Sequence, residues 1–288
     1  MPMRTYNEIY LNARRKLRAA SVASHDLEAR LIVSYASGKT REEYAASSRY
    51  YVADPSVERT VNEMINRRLN GEPVAYIVGE WEFYGLPMAV NDSVLIPRVD
   101  TELLAEVSIQ LLKRRRMQAR VLDLCAGSGC VGLAIAANVP SSRIVLADIS
   151  EQALAVCRIN MLKNRLSRQV TAIEADAIES PPALLGRFDF IVSNPPYIPT
   201  RDIESLDPSV RDFEPHLALD GGPDGLYFIR AIATNWPALL KPGGNLALEC
   251  GIGQAAAVRE VMDDSGFKDI QIHTDTGGVQ RVVAGTLR

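Results

Sequence analysis

The sequence predicts an α/β protein in which a mainly parallel sheet follows a small all-helical domain and a β-hairpin linker. Three observations carry this. From Arg120 onward, strand-like and helix-like segments alternate, which implies right-handed βαβ crossovers. Residues 5 to about 75 place apolar side chains at near-helical spacing with no strand-like alternation. Between them lies an aromatic, β-branched stretch broken by Gly85-Leu86-Pro87.

In order along the chain, Tyr10, Leu17, Ala20, Leu27, Leu31 and Val33 mark the helical face, and Ser24 and Asp54 sit where N-caps would. The bundle is expected to end near Gly71-Glu72-Pro73. Ala75 to Tyr84 and Met88-Ala89-Val90 then read as a hairpin. The expected division is a helical domain over 1–74, a linker over 75–97 and an α/β domain over 98–288. Strands are expected at 120–125, 143–148, 170–175, 188–193, 244–250, 268–273 and 279–284. Helices are expected at 129–138, 150–164, 224–239 and 253–265. Ligands of such sheets bind outside the carboxyl ends of the strands.

Composition narrows the function. The chain has 288 residues and a formal net charge of -3, which argues against duplex nucleic acid as the main partner. Its one dense basic run, Lys113-Arg114-Arg115-Arg116, follows the helical-looking Leu103 to Leu112 and reads as a solvated helix end. Cys125, Cys130, Cys157 and Cys250 form no C-x-x-C pair, and His25, His216 and His273 are scattered. A structural zinc or a disulfide framework is therefore not expected, and the thiols suit a reducing cytosol. No apolar run reaches membrane-spanning length. A cytoplasmic enzyme or binding protein is the expectation.

Val121 to Gly129 runs from a strand into a glycine loop, and Gly127-x-Gly129-x-x-Gly132 satisfies the dinucleotide fingerprint with Asp148 at the next strand's end. Taken alone, the loop serves NAD as well as any other nucleoside ligand. Asp123 shifts the balance. An acid just before the glycines is poorly placed for a pyrophosphate but suits a cationic ligand, such as the α-ammonium and sulfonium of S-adenosyl-L-methionine. Asp176, with Ala177 beside it, would sit near the adenine amine; alone it reads equally well as an N-cap.

With that donor, "VSNPPYIP" (Val192 to Pro199) gains a purpose. The strand Phe188 to Val192 ends in two prolines, which stop the ladder and stiffen the backbone. A carboxamide or aromatic amine is a poor nucleophile because its lone pair is delocalised. The Asn194 oxygen and the Pro195 carbonyl could accept both of its N–H bonds and aim the lone pair, while Tyr197 offers an aromatic face.

Asn194-Pro195-Pro196-Tyr197 with the glycine loop resembles the amino-methyltransferases that modify adenine, guanine or glutamine nitrogens. Gly71 to Ile77, Gly79-Glu80-x-x-Phe83-Tyr84, Leu95 to Glu102, Phe213 to Leu226 and Arg281-Val282-Val283-x-Gly285 are similar to the release factor glutamine methyltransferases, the HemK or PrmC type. The resemblance covers about residues 70 to 285. It implies a Rossmann-like, seven-stranded methyltransferase domain whose last strand is antiparallel, preceded by a helical domain that grips the factor. It implies N5-methylation of the glutamine in a Gly-Gly-Gln motif, yielding S-adenosyl-L-homocysteine; a monomer with no metal and no stable nucleic-acid or membrane partner is the accompanying expectation. By position, Asp123 and the loop Cys125, Ala126, Gly127, Ser128 and Gly129 bind the donor, with Asp148 on the ribose, Asp176 and Ala177 at the adenine, and Asn194 nearby. Leu95, Ile96 and Arg98 close over it, Arg98 also meeting substrate. Asn194, Pro195, Pro196 and Tyr197 hold the glutamine, with Asn194, Pro195 and Tyr197 catalytic. Two departures stand out: Cys125 replaces a frequent Gly, which bears on donor affinity, and Val99 replaces the usual Pro.

Rival readings are a methyltransferase for a ribosomal-protein glutamine and an adenine-N6 DNA methyltransferase. The latter should carry a basic DNA-reading domain. An NAD-dependent dehydrogenase lacks a hydride-transfer acid or base here. A non-catalytic donor-binding protein would show no turnover.

Overall fold

A computed structural model describes residues 4–114 and 118–288. Arg115 and Arg116 of the basic run lie outside the described residues, whereas Lys113 and Arg114 close a helix as expected. The chain divides into two compact units, Met1–Gly79 with Pro208–Phe213, and Glu80–Asp207 with Glu214–Arg288.

The first unit is helical: α1 (Tyr6–Ala19), α2 (His25–Ala36), α3 (Arg41–Ser47), α4 (Ser56–Leu69) and α5 (Val74–Val78). Its core rows are Ile9, Ala13 and Leu17 on α1, Ala29, Ile32 and Val33 on α2, and Val57, Val61, Met64 and Ile65 on α4. The expected face was set slightly off, since Ala20 is exposed and Leu27 is half-exposed. Ser24 makes no side-chain cap. Thr5 and Thr40 do, each in a reciprocal capping box with the glutamate three residues on. Asp54 acts one residue before the cap position, its Oδ1 accepting from Ser56 N at 2.8 Å.

The hairpin begins later than the sequence suggested. Val74–Val78 is a fully buried helix between Pro73 and the left-handed Gly79, and an apolar run of five gives no period to separate buried helix from strand. The hairpin proper pairs β1 (Glu80–Phe83) with β2 (Leu86–Ala89).

The second unit carries a seven-stranded sheet of order β5-β4-β3-β6-β7-β9-β8. Its strands are β3 (Arg120–Leu124), β4 (Arg143–Asp148), β5 (Val170–Glu174), β6 (Phe188–Ser193), β7 (Leu240–Glu249), β8 (Phe267–Thr274) and β9 (Gln280–Leu287). β3 to β7 pair in parallel, and β9 runs antiparallel to both its neighbours. Helices α6 (Glu102–Arg114), α7 (Cys130–Asn138) and α8 (Glu151–Lys163) pack on the sheet. Another core joins Ile229, Ile232, Trp236, Val258 and Met262 to Leu122, Phe188, Ile191 and Leu246. The helix expected over 224–239 is a shorter α-helix, Tyr227–Asn235, that tightens to a 3-10 turn at Trp236–Leu239. Pro237 has no N–H with which to continue the ladder.

Candidate active site

The cavity opens at the carboxyl ends of β3, β4, β5 and β6, the centre of the parallel region. It measures about 220 Å³. β3 ends in Asp123 and Leu124, and the chain turns sharply through Cys125 and Gly129, both in the left-handed region at φ 57° and 79°. That conformation explains why glycine suits position 125: a side chain there is strained by about 1–2 kcal/mol. The turn starts α7 beneath the loop, and Gly132 lets that helix sit tightly on β4. A Cβ at 132 would lie 2.3 Å from Leu146 Cδ2 and 2.9 Å from Asp123 Oδ2.

Each strand-end acid is already held by backbone. Asp123 is buried, and its Oδ2 accepts from Gly132 N at 2.8 Å. Burial raises its pKa to about 7, helped by the nearby Asp148 charge and opposed by the Gly132 N–H. Asp148 accepts from Gly127 N at 2.8 Å through Oδ2 and from Ser150 N at 2.9 Å through Oδ1. Burial raises its pKa as well, against those same N–H bonds. Asp176 caps no helix; its Oδ1 accepts from Ile178 N at 3.0 Å within a turn. Asn235 and Trp236 secure that turn by donating to the carbonyls of Ile178 and Ala177 at 3.0 and 2.9 Å.

Asn194 directly follows β6. Its Nδ2 donates to Thr101 Oγ1 at 3.1 Å, which leaves Oδ1 as the acceptor end of the amide. Among the described residues, no hydrogen bond within the chain reaches Asn194 Oδ1 or the Pro195 carbonyl. Tyr197 is fixed at both ends: its hydroxyl donates to Glu249 Oε1 at 3.2 Å, and its carbonyl accepts from Gln254 Nε2 at 2.9 Å. Gly221 lies so close that a Cβ would sit 2.6 Å from Tyr197 Cα. The stretch following Phe213 thus braces the back of the Asn-Pro-Pro-Tyr loop.

Glu249 is buried, and burial raises its pKa to about 7 against the Thr101 and Tyr197 hydroxyls and the Arg281 charge. The Thr101 hydroxyl favours the charged carboxylate, whose Oε2 has no well-aligned donor among the described residues.

Of the residues the sequence singled out, Asp123, Cys125, Ala126, Gly127, Ser128, Asp148, Asp176, Ala177, Asn194, Pro196, Leu95 and Arg98 line the cavity. Gly129, Ile96, Pro195 and Tyr197 do not. Gly129 shapes the turn, and Ile96 is buried with its N–H donating to Glu214 Oε2 at 3.1 Å. Arg98 pairs with the other oxygen of the buried Glu214. Thr101, Glu214 and Glu249 carry no role in the sequence reading, though Thr101 and Glu214 lie inside the stretches that bore the resemblance. Phe228 and Leu217 add an apolar wall. Among the described residues no group of three His, Cys, Asp or Glu side chains is placed to hold a metal, and no helix is long and apolar enough to cross a membrane.

Sheet order, the single antiparallel strand and the acid-lined loop at the strand ends define a Rossmann-like methyltransferase. Residues 99–206 match the family described as "Methyltransferase small domain", and residues 8–79 match "PrmC N-terminal domain". A release factor glutamine methyltransferase of Geobacter sulfurreducens is 45% identical over 78% of this chain and 76% of its own. One of Caulobacter vibrioides is 36% identical over 95% and 93%. A solved methyltransferase of Pyrococcus furiosus shares the fold alone, with a TM-score of 0.51 and 16% identity over 78% of this chain and 98% of its own. The chain belongs to the release factor glutamine methyltransferase family.

Proposed function

We propose that this chain methylates the side-chain amide nitrogen of the glutamine in the Gly-Gly-Gln motif of a peptide chain release factor, with S-adenosyl-L-methionine as donor. The donor set of the cavity fits that cation. Asp123, Asp148 and Asp176 line it, and Arg98, the one Lys or Arg among the described lining residues, is paired with Glu214. When bound, S-adenosyl-L-methionine supplies a methyl group activated by its sulfonium. Asp148 takes the ribose hydroxyls on its remaining lone pairs, and Asp176 and Ala177 flank the adenine. Asp123, between loop and helix, answers the positive charge.

The observation that carries the reading is the Asn194 amide. Thr101 holds its nitrogen, which leaves its oxygen to accept, and the Pro195 carbonyl, next in the chain, is assigned as the second acceptor. Two acceptors at fixed positions hold both N–H bonds of a glutamine amide and leave its nitrogen lone pair one direction. No general base is required to begin: as the nitrogen takes the methyl, the sulfonium–methyl bond gives its electron pair to sulfur, one of the two held protons leaves for solvent, and orientation supplies the rate. Clamping Tyr197 at hydroxyl and carbonyl keeps the loop from yielding. The helical unit is assigned to gripping the factor, and the enzyme is taken as a cytoplasmic monomer.

The test is methylation of purified release factor, read as a mass gain on the Gly-Gly-Gln peptide. Label on a ribosomal protein and none on the factor moves the substrate; donor binding without label on either refutes the activity.

A further inference from the structure

The two ends of an Asn amide have nearly the same shape, one a donor and one an acceptor. Half a turn about Cβ–Cγ exchanges them at little steric cost. The proposed glutamine site works only with the acceptor end of Asn194 presented, so something must set the amide's direction. Thr101, which receives Nδ2 at 3.1 Å, does not do so alone, because a hydroxyl donates as readily as it accepts.

Behind Thr101 stands a group that cannot donate when ionised. Glu249 is 1% exposed. Its Oε1 accepts from the Tyr197 hydroxyl, and its Oε2 is buried with no well-aligned donor among the described residues. Among the described residues no ion pair reaches it, since Arg281 pairs with Asp100 at 2.7 Å and Asp275 at 3.4 Å. The Thr101 hydroxyl, on a residue 2% exposed and already accepting from Asn194, has one proton to give. It neighbours that same carboxylate. The hydroxyl proton and the carboxylate are joined by a turn of one O–H bond. With Glu249 ionised, the chain runs one way, from the Asn194 N–H to the Thr101 oxygen and from the Thr101 O–H to the Glu249 carboxylate.

We propose that Glu249, acting through Thr101, fixes which end of the Asn194 amide faces the cavity, which makes Glu249 and Thr101 positioning residues for the methyl-accepting amide. Glu249→Gln keeps the shape but can present a donor to Thr101. The hydroxyl then turns toward Asn194, and the amide flips to offer its NH2. Thr101→Val removes the link while keeping the volume.

The first readout needs neither donor nor substrate. In protein labelled with 15N at asparagine, the Asn194 side-chain signals are assigned by their loss in Asn194→Ala. Parent protein should show one pair with slowed solvent exchange; Glu249→Gln and Thr101→Val should shift that pair and speed its exchange. Unchanged signals in both variants overturn the proposal. The second readout rests on the methyl-transfer reading. Glu249→Gln should lower kcat about 5- to 50-fold, the scale of one misdirected hydrogen bond, with KM for the factor and donor affinity near parent values. Thr101→Ser should keep kcat within about threefold, because the hydroxyl survives. In the Asn194→Ala background, Glu249→Gln should add less than about twofold, as expected of residues acting as one unit. A loss that persists undiminished there overturns the proposal. Should buried Glu249→Gln fail to fold, Thr101→Val carries both readouts. A parent that never methylates the factor refutes the activity, and the amide spectrum still decides the positioning.

Discussion

Asp123 gives the sharpest quantitative test of the donor site. Its carboxyl is 2% exposed, takes one backbone hydrogen bond, and has a pKa raised by burial to about 7 from an ordinary 3.8. A raised carboxyl pKa means that the folded protein binds more protons than the unfolded chain between these limits. Stability is therefore fully supported below about pH 4 and falls as pH rises toward 7, by about 1.4 kcal/mol per unit for one proton. Over about three units the loss is about 4 kcal/mol. Asp123→Asn keeps the acceptor for Gly132 N–H and removes the titration. Urea unfolding at pH 5 and pH 7.5 should show the parent losing about 2.5 kcal/mol more than the variant across that interval. The same group reports on the ligand. A cationic donor favours the ionised form, so binding at pH 7 should release about half a proton, because a group with pKa near 7 is half protonated there. Calorimetry in two buffers of different ionisation enthalpy measures that release, and Asp123→Asn should abolish it. Equal pH slopes in parent and variant would show that Asp123 is ionised in the free protein, and the account of its burial would fail.

Other outcomes follow from the same geometry. Asn194→Ala should cut methyl transfer about 5- to 150-fold, the worth of a lost hydrogen bond of roughly 1–3 kcal/mol, with a smaller change in donor affinity by calorimetry. Asn194→Asp should also turn over slowly with donor retained, because its charge stabilises the sulfonium before the transition state disperses it. Gly132→Ala should lower unfolding free energy by about 1–3 kcal/mol in urea titrations, since the new methyl meets the side-chain ends of the buried Leu146 and Asp123. Cys125→Gly should raise it by about 1 kcal/mol by relieving the left-handed backbone; a fall would show that the thiol's packing outweighs the strain.

Much of this architecture is written locally. Each parallel strand is a short apolar run closed by an acid, a glycine or a proline, so β3 to β6 begin at the expected residue and end within one of it. β7 is the exception. Its first residues pair with β6 only across an irregularity at Phe188 and Phe190, and Gly243-Gly244 conceal that from a propensity argument. The helical unit also recruits Pro208–Phe213, which no local pattern within those six residues announces.

The site divides along the same line. Residues that would touch the donor sit on the loops that end the strands, so topology and spacing disclose them. Those that aim the first group arrive from far along the chain: Thr101 meets Asn194, Glu249 meets Tyr197, and Glu214 holds Ile96 and Arg98. Asn160 is fully buried on α8, and its amide spans the Ala89 backbone and the Ser128 carbonyl, tying hairpin to glycine loop. In sequence each looks like an ordinary polar residue. Burial changes their meaning, because a polar group out of water needs its partners and therefore dictates where they point. The acceptor needed for a weakly nucleophilic nitrogen is thus visible at position 194, whereas its direction is imposed from positions 101 and 249.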